Sequence, residues 1–330
     1  MAPVDDEELE NEADLMRILI SAPYFIPVYD RFKAQFENVG LEVEIADVVE
    51  RLSEAELLQY VGEIDGVISG DDRFSEVVLE AFSPRLKVIS KWGTGIDSID
   101  QVAAKRLGIQ VLNTPDAFTD PVADSVMAYI LAFARQVPWM DARMKAGAWD
   151  KIPSVALHEC TLGVVGVGRI GKAVVKRANA FGMTMLGTDI IEISADFLKA
   201  YGMEMLPLND LLERSDYVSL NCDLNPTSKH LINGEALAKM KISAVLINTA
   251  RGPVVDEGAL IEALQAGEIA SAGLDVYEDE PLPTNSPLRS MDNVLLGSHN
   301  ANSSPLAWER VHKNTLKNLF VGLGIEPPTT

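Results

Sequence analysis

Among the 330 residues, one run has the types and spacing to hold a pyrophosphate. Gly166-Val-Gly-Arg-Ile-Gly171 follows the apolar stretch Leu162-Gly-Val-Val165 and precedes a helical pattern over 172–181. Gly166 permits a tight turn, Gly168 lets a pyrophosphate come close to the backbone, and Gly171 lets the helix pack against the strand. Exposed N–H groups and the helix dipole then favour phosphate, and Arg169 and Ile170 share that turn. Asp189 ends the next strand pattern, where an acid accepts hydrogen bonds from the adenosine ribose hydroxyls. Ile190, Ile191 and Glu192 follow, with no Lys or Arg to meet a 2′-phosphate, so the expected cofactor is NAD rather than NADP.

Two further residues fall where ligands gather in open α/β sheets, just past expected strand ends. Arg251 follows the run 244–248, and its fork can hold a carboxylate bidentately and polarise a neighbouring carbonyl. His299 follows the run 293–297 and is the natural proton shuttle. Each has an ordinary reading when taken alone, the Arg as a surface ion pair and the His as a turn residue. His158, His230 and His312 are read as structural.

These residues need a frame, and the apolar pattern supplies one. Strand-length runs at 17–22, 43–46, 66–69, 88–91 and 111–113 alternate with helical patterns, and a second series runs at 162–166, 183–188, 217–221, 244–248, 270–274 and 293–297. Such alternation predicts parallel sheets covered by helices on both faces. Two series predict two doubly wound α/β domains around a cleft, a flavodoxin-like substrate domain and a Rossmann NAD-binding domain. The boundaries are read as an acidic disordered tail over 1–15, a substrate domain over 16–114 and 300–330, and a NAD-binding domain over 115–299. Pro121 opens one helix between the series, and a last helix spans 305–320.

Composition excludes several classes of partner. Lys and Arg total 28 against 49 Asp and Glu, a formal charge of −21, which repels nucleic acid and acidic lipid. An anionic substrate would therefore need local positive charge at its site. No apolar run approaches the ~20 residues of a membrane span. Cys160 and Cys222 are too few for a disulfide framework and fit a reducing cytoplasm, and neither they nor the scattered histidines have metal-ligand spacing.

Taken in order, five motifs resemble the D-isomer-specific 2-hydroxyacid dehydrogenases. They are Gly93-Thr-Gly-Ile-Asp-Ser-Ile-Asp100, the glycine run with Asp189, Ile247-Asn-Thr-Ala-Arg-Gly-Pro-Val-Val-Asp256, Gly273-Leu-Asp-Val-Tyr-Glu-Asp-Glu-Pro281, and Gly297-Ser-His-Asn-Ala-Asn302. The resemblance implies an NAD-dependent oxidoreductase that moves hydride between nicotinamide and a small D-2-hydroxy or 2-oxo acid. It assigns catalysis to Arg251, Glu280 and His299, with Glu280 orienting the ring and favouring its protonated form. It also implies that Asp275 meets the nicotinamide carboxamide, that Thr249 and Ala250 touch the cofactor, and that the Thr94 and Gly95 amides hold the substrate carboxylate. Asp97 and Asp100 are read as local caps. The helix opened by Pro121 resembles a dimer-forming helix, so a homodimer is expected.

The sequence departs from that family pattern in three places. Asn221 and Asp223 stand where His and Pro are usual, beside Cys222, which has no cation near it to make a nucleophile. Asn300 replaces a small apolar residue, with Asn302 beyond it. The loop 69–74 should face substrate, and its Asp71 and Asp72 disfavour a phosphate, with Arg73 and Lys91 as compensating cations. Hydroxypyruvate and glyoxylate are thus favoured over 3-phosphoglycerate, and Glu280 argues against formate, whose relatives use Gln there. The alternative class is an NAD-sensing, corepressor-like binding protein on the same fold.

Overall fold

A computed structural model describes residues 15–327, so the expected acidic tail lies, apart from residue 15, outside the described residues. These residues divide into two compact units, 15–115 with 309–327, and 116–308.

In the first unit, strands β1 (Arg17–Ile20), β2 (Glu42–Ile45), β3 (Gly66–Ser69), β4 (Val88–Lys91) and β5 (Gln110–Leu112) form one parallel sheet. Its order, β2-β1-β3-β4-β5, is the flavodoxin-like one. β3 and β4 are buried along their whole length, which explains why they read as continuous apolar runs rather than as alternation. Leu19, Val67 and Ile89 pack one face against Val78, Leu79 and Phe82. The helix Pro305–Gly322 covers the other face, where Phe36 and Phe320 lie 5.9 Å apart and Ser90 Oγ donates to the Thr315 carbonyl at 2.7 Å. Gly66 sits directly beneath it, since a Cβ there would stand 2.9 Å from Leu319 Cδ1.

The second unit holds β6 (Thr161–Val165), β7 (Thr184–Thr188), β8 (Glu204–Met205), β9 (Tyr217–Leu220), β10 (Val245–Asn248), β11 (Ser271–Leu274) and β12 (Val294–Leu296). Their order, β12-β11-β10-β9-β6-β7-β8, is the Rossmann order with one strand added beyond β11. Gly273 lets the helix Thr119–Arg135 lie against β11, because a Cβ would meet the Tyr129 ring at 2.9 Å. Both sheets reverse strand order at a switch point, between β1 and β3 and between β6 and β9.

The structure corrects several expected bounds. The helix assigned to Pro121 begins at Thr119, and the one expected from 172 begins at Arg169, with Gly168 as its N-cap. The second helix Val137–Lys145 and the two-residue β8 escape the apolar pattern, the first because it buries no residue fully and the second because it is so short. The return to the first unit falls between Trp308 and Glu309 rather than at 300. The segment after His299 is tied to the second unit by the Asp275 carboxylate, which accepts from Asn300 N and Ala301 N. Among the described residues, no helix is long and apolar enough to cross a membrane.

At the first unit's switch point, Asp72 is wholly buried, accepting from Ser21 Oγ at 2.6 Å and Leu52 N at 2.7 Å. Burial pushes its carboxyl from the ordinary 3.8 to about 6, with Asp71 adding, and with both hydrogen bonds and Lys91 opposing. The folded state thus holds this proton more tightly than the unfolded chain does. The associated stability is present below pH 3.8 and is lost as pH rises through about 6. In Asp72→Asn, urea unfolding across that window should lose a pH-dependent component on the order of 3 kcal/mol. A slope equal to that of wild type would exclude Asp72 as its source.

Candidate active site

The second unit gathers its polar residues at the carboxyl ends of its strands. After β6 the chain turns at Gly166, whose φ of +86° favours glycine and whose absent Cβ would stand 2.7 Å from Cys222 N. Gly171 is needed for space alone, since a Cβ would fall 2.1 Å from the Gly166 carbonyl. Gly168 is different: no atom lies within 4 Å of where its Cβ would be, so the helix N-terminus opens onto space that a phosphate can enter. Asp189 accepts from Val167 N at 2.6 Å and from Ile191 N at 3.1 Å, tying the glycine turn to the end of β7. Arg169 pairs with Asp116 at 2.8 Å on the surface, and Ile170 packs on the core.

After β10, Asn248 forms a clamp that the sequence reading missed. Its Oδ1 accepts from Ala250 N at 3.0 Å and its Nδ2 donates to the Arg251 carbonyl at 2.9 Å, closing the turn that presents Arg251. An Asn at a strand end followed by small residues is the signal, because Asx turns form there. Gly252 then passes so close to the next loop that a Cβ would lie 1.8 Å from the Tyr277 carbonyl oxygen. The Arg251 Nη1 donates to the Ala250 carbonyl at 2.8 Å. The Thr249 hydroxyl is buried with no hydrogen-bond partner in the structure, a polar group that a ligand at this turn would satisfy. Together with the open N-terminus at Gly168, this fits a dinucleotide.

After β11 and β12, Glu280 and His299 come together. Glu280 Oε1 accepts from Tyr277 N at 3.0 Å, and its Oε2 lies 3.0 Å from His299 Nδ1, both side chains being largely buried. His299 has a φ of +54°, uncommon for a residue with a side chain, and its own N–H donates to the Asp275 carbonyl at 2.7 Å. The Asp275 carboxylate accepts from the next two amides, so it also holds the loop, a role the resemblance does not assign. Burial pushes its carboxyl up, with the Ala301 and Asn300 N–H groups opposing.

The unusual residues behave differently from one another. Asn221 turns back onto β9, its Nδ2 donating to the Ser219 carbonyl at 3.0 Å. Burial, then Asp223 and Asp189, push the Cys222 thiol up to about 11, which agrees with its reading as a poor nucleophile. Asn300 is exposed and Asn302 half-buried. His312 is structural, its Nδ1 accepting from Trp92 Nε1 at 3.0 Å, whereas His230 makes a 2.6 Å contact with Glu278.

In the first unit, the loop after β4 is stiffened from β5. Thr114 N and Oγ1 both donate to the Gly93 carbonyl at 2.9 Å, and Thr94 Oγ1 donates to the Thr114 carbonyl at 3.1 Å. Thr94 is exposed and Gly95 half-buried. Asp100 caps the helix Gln101–Leu107, accepting from Val102 N and Ala103 N.

Comparison with known proteins agrees with this arrangement. The family model described as "D-isomer specific 2-hydroxyacid dehydrogenase, NAD binding domain" matches residues 127–301. A glyoxylate reductase of Thermofilum pendens is 41% identical over 283 residues, 84% of this chain and 83% of that protein. A D-3-phosphoglycerate dehydrogenase of Methanocaldococcus jannaschii is 40% identical over 295 residues, but this chain spans only 54% of its length. The D-lactate dehydrogenase of Aquifex aeolicus, solved with NAD and lactic acid, superposes with a TM-score of 0.82 at 30% identity, covering 93% of this chain and 95% of that one. The sheet orders, the glycine turn and these matches place the chain in the D-isomer-specific 2-hydroxyacid dehydrogenase family, with NAD as its cofactor.

Proposed function

We propose that this protein reduces a small 2-oxo acid, of the glyoxylate or hydroxypyruvate kind, to the D-2-hydroxy acid. The observation that carries this reading is the 3.0 Å contact between His299 Nδ1 and Glu280, at the loop edge that also presents Arg251. When bound, the nicotinamide supplies the hydride for C2 of the acid. Gly166, Gly168, Arg169, Ile170 and Gly171 surround the pyrophosphate position, Asp189 meets the ribose, and Thr249, Ala250 and Asp275 meet the nicotinamide end. Arg251 holds the carboxylate and polarises the adjacent carbonyl. The amides of Thr94 and Gly95 are the carboxylate donors contributed by the first unit. Glu280 engages Nδ1, so proton transfer to the carbonyl oxygen falls to Nε2 of His299, and oxidation of the alcohol runs the same steps backward. The domain roles follow, substrate on the first unit and NAD on the second. The corepressor alternative has no observation in its favour.

We further read the protein as a cytoplasmic homodimer. Its two cysteines are free thiols, which suits a reducing compartment. The apolar positions Val122, Val126 and Ile130 of the helix Thr119–Arg135 are buried within the second unit. The exposed apolar surface lies further on, at Val137, Met144 and Trp149, the last 87% exposed. Sedimentation velocity should give a dimer that Trp149→Ala shifts toward monomer, and a monomeric wild type would overturn the assignment.

Asp189→Ala with Ile190→Arg should narrow or reverse the preference for NADH over NADPH, read as the ratio of kcat/KM. An unchanged ratio would mean that other residues set it.

The reaction itself is tested by NADH oxidation with glyoxylate, hydroxypyruvate, pyruvate and 3-phosphohydroxypyruvate. Turnover of a small uncharged-substituent acid is expected, with kcat falling by about two to four orders of magnitude in His299→Ala. Arg251→Ala should raise KM and lower kcat together. Full activity in His299→Ala would remove the proton-transfer role.

A further inference from the structure

His230 lies outside both the buried core and the residues given to the proposed reaction. Its backbone sits at φ +51°, a left-handed value uncommon for a residue with a side chain. Two contacts hold it, and they reach two different loops of the second unit. Its N–H donates to the Pro253 carbonyl at 2.8 Å, on the short turn Gly252–Val254 that follows Arg251. Its Nε2 lies 2.6 Å from Glu278 Oε1, and because an ionised carboxylate only accepts, Nε2 carries the proton. The segment around His230 is itself fixed. Ser228 Oγ accepts from Asn225 N at 2.9 Å and donates to the Asp223 carbonyl at 2.6 Å. Just beyond, Ile232 N donates to the Val254 carbonyl at 3.1 Å, and Asp256 N donates to the Ile232 carbonyl at 3.0 Å. His230 thus reaches Glu278 from a rigid base.

The loop it reaches carries Glu280 and is crowded with like charge. Glu278, Asp279 and Glu280 are three acids in a row, and Glu257 packs beside them, accepting from Glu278 N at 3.1 Å. Burial pushes the Glu257 carboxyl up, with the Glu278 N–H opposing and the three acids adding. A donor on Glu278 offsets part of that repulsion.

We propose that His230 is a positioning residue for the proposed reduction: by holding Glu278 it fixes the loop that sets Glu280 against His299. The inference rests on the 2-oxo acid reading above and deepens it. Glu280 ties its loop to His299 on one side, at 3.0 Å, and Glu278 ties the same loop to His230 on the other. Since the His230 N–H is bound to the turn after Arg251, the brace also references the Glu280 loop to the Arg251 turn. Both side chains of the His230–Glu278 pair are more than a third exposed, at 41% and 35%, so solvent screens the pair and its effect is modest.

The test measures kcat and KM, for whichever acid of the panel the wild type reduces best, in His230→Asn, His230→Gln, Glu278→Ala and the double variant His230→Asn/Glu278→Ala. Asn tolerates the left-handed backbone and keeps the N–H on Pro253, but its amide is too short to reach Glu278. Gln places an Nε2 as many bonds from Cβ as the imidazole does, so it can still donate. In His230→Asn and in Glu278→Ala, kcat should fall about three- to tenfold, with KM for the acid within about twofold of wild type. The double variant should fall no further than the worse single one, and His230→Gln should recover most of kcat. Glu278→Ala and His230→Gln carry the test if His230→Asn does not fold. Unchanged kcat in the folded single variants, additive losses, or a Gln variant as slow as the Asn one overturns the inference and leaves the dehydrogenase reading intact. A lowered melting temperature without loss of kcat overturns it too, since His230 would then serve stability alone. A wild type that reduces none of the acids sinks both.

Discussion

Asp275 takes hydrogen bonds from three consecutive residues: its carbonyl accepts from His299 N at 2.7 Å, and its two carboxylate oxygens accept from Asn300 N at 3.0 Å and Ala301 N at 2.7 Å. The loop after β12 is therefore folded around one buried residue at the end of β11. This grip keeps His299 at φ +54°, a conformation of order 1 kcal/mol or more that a loose loop would relax. It also aims the ring at Glu280. Gly297 is the counterpart of this constraint, since a Cβ there would lie 2.2 Å from Asp275 Oδ1. The geometry of the His299–Glu280 pair is thus set by backbone amides rather than by the pair itself.

The same economy of space runs across the sheet edge. Gly166 clears Cys222 N, Gly171 clears the Gly166 carbonyl, and Gly252 clears the Tyr277 carbonyl. The first and third contacts pin the loop of one strand to that of another, so the Arg251 turn and the loop carrying Glu280 are located relative to each other by main-chain contact. Loops held this way lose little entropy when a ligand arrives, which is what a site needs to favour a transition-state geometry.

Much of this was legible in the sequence because strands buried on both faces announce themselves as continuous apolar runs, as β3 and β4 do. Helix starts were harder to place. Arg169 and Thr119 open their helices ahead of the apolar stripe, and neither start carries a side-chain cap that would mark it in the sequence. The Val137–Lys145 helix buries no residue fully, so it left no stripe to read. At the candidate site, residue type singled out Arg251 and His299 and the resemblance added Glu280, but neither revealed what fixes them. Tyr277 and Gly252 act through backbone geometry, so their identities carry little chemical signal, and Asn248 works through a side-chain turn whose only signal is its place at a strand end. The resemblance named Asp275 as a ligand contact and not as the anchor of the His299 loop.

A charge of −21 works against any anionic substrate at long range, and that field is screened beyond about 8–10 Å in physiological salt. Selectivity among acids must then be decided at contact, where the proposed function gives Arg251 the common carboxylate. In the first unit the Lys91 ammonium, buried at the edge of β4, faces Asp71 at 3.0 Å. Breaking such a pair leaves an uncompensated buried charge, so the pairing is self-maintaining, and no flexible loop is needed to hold it.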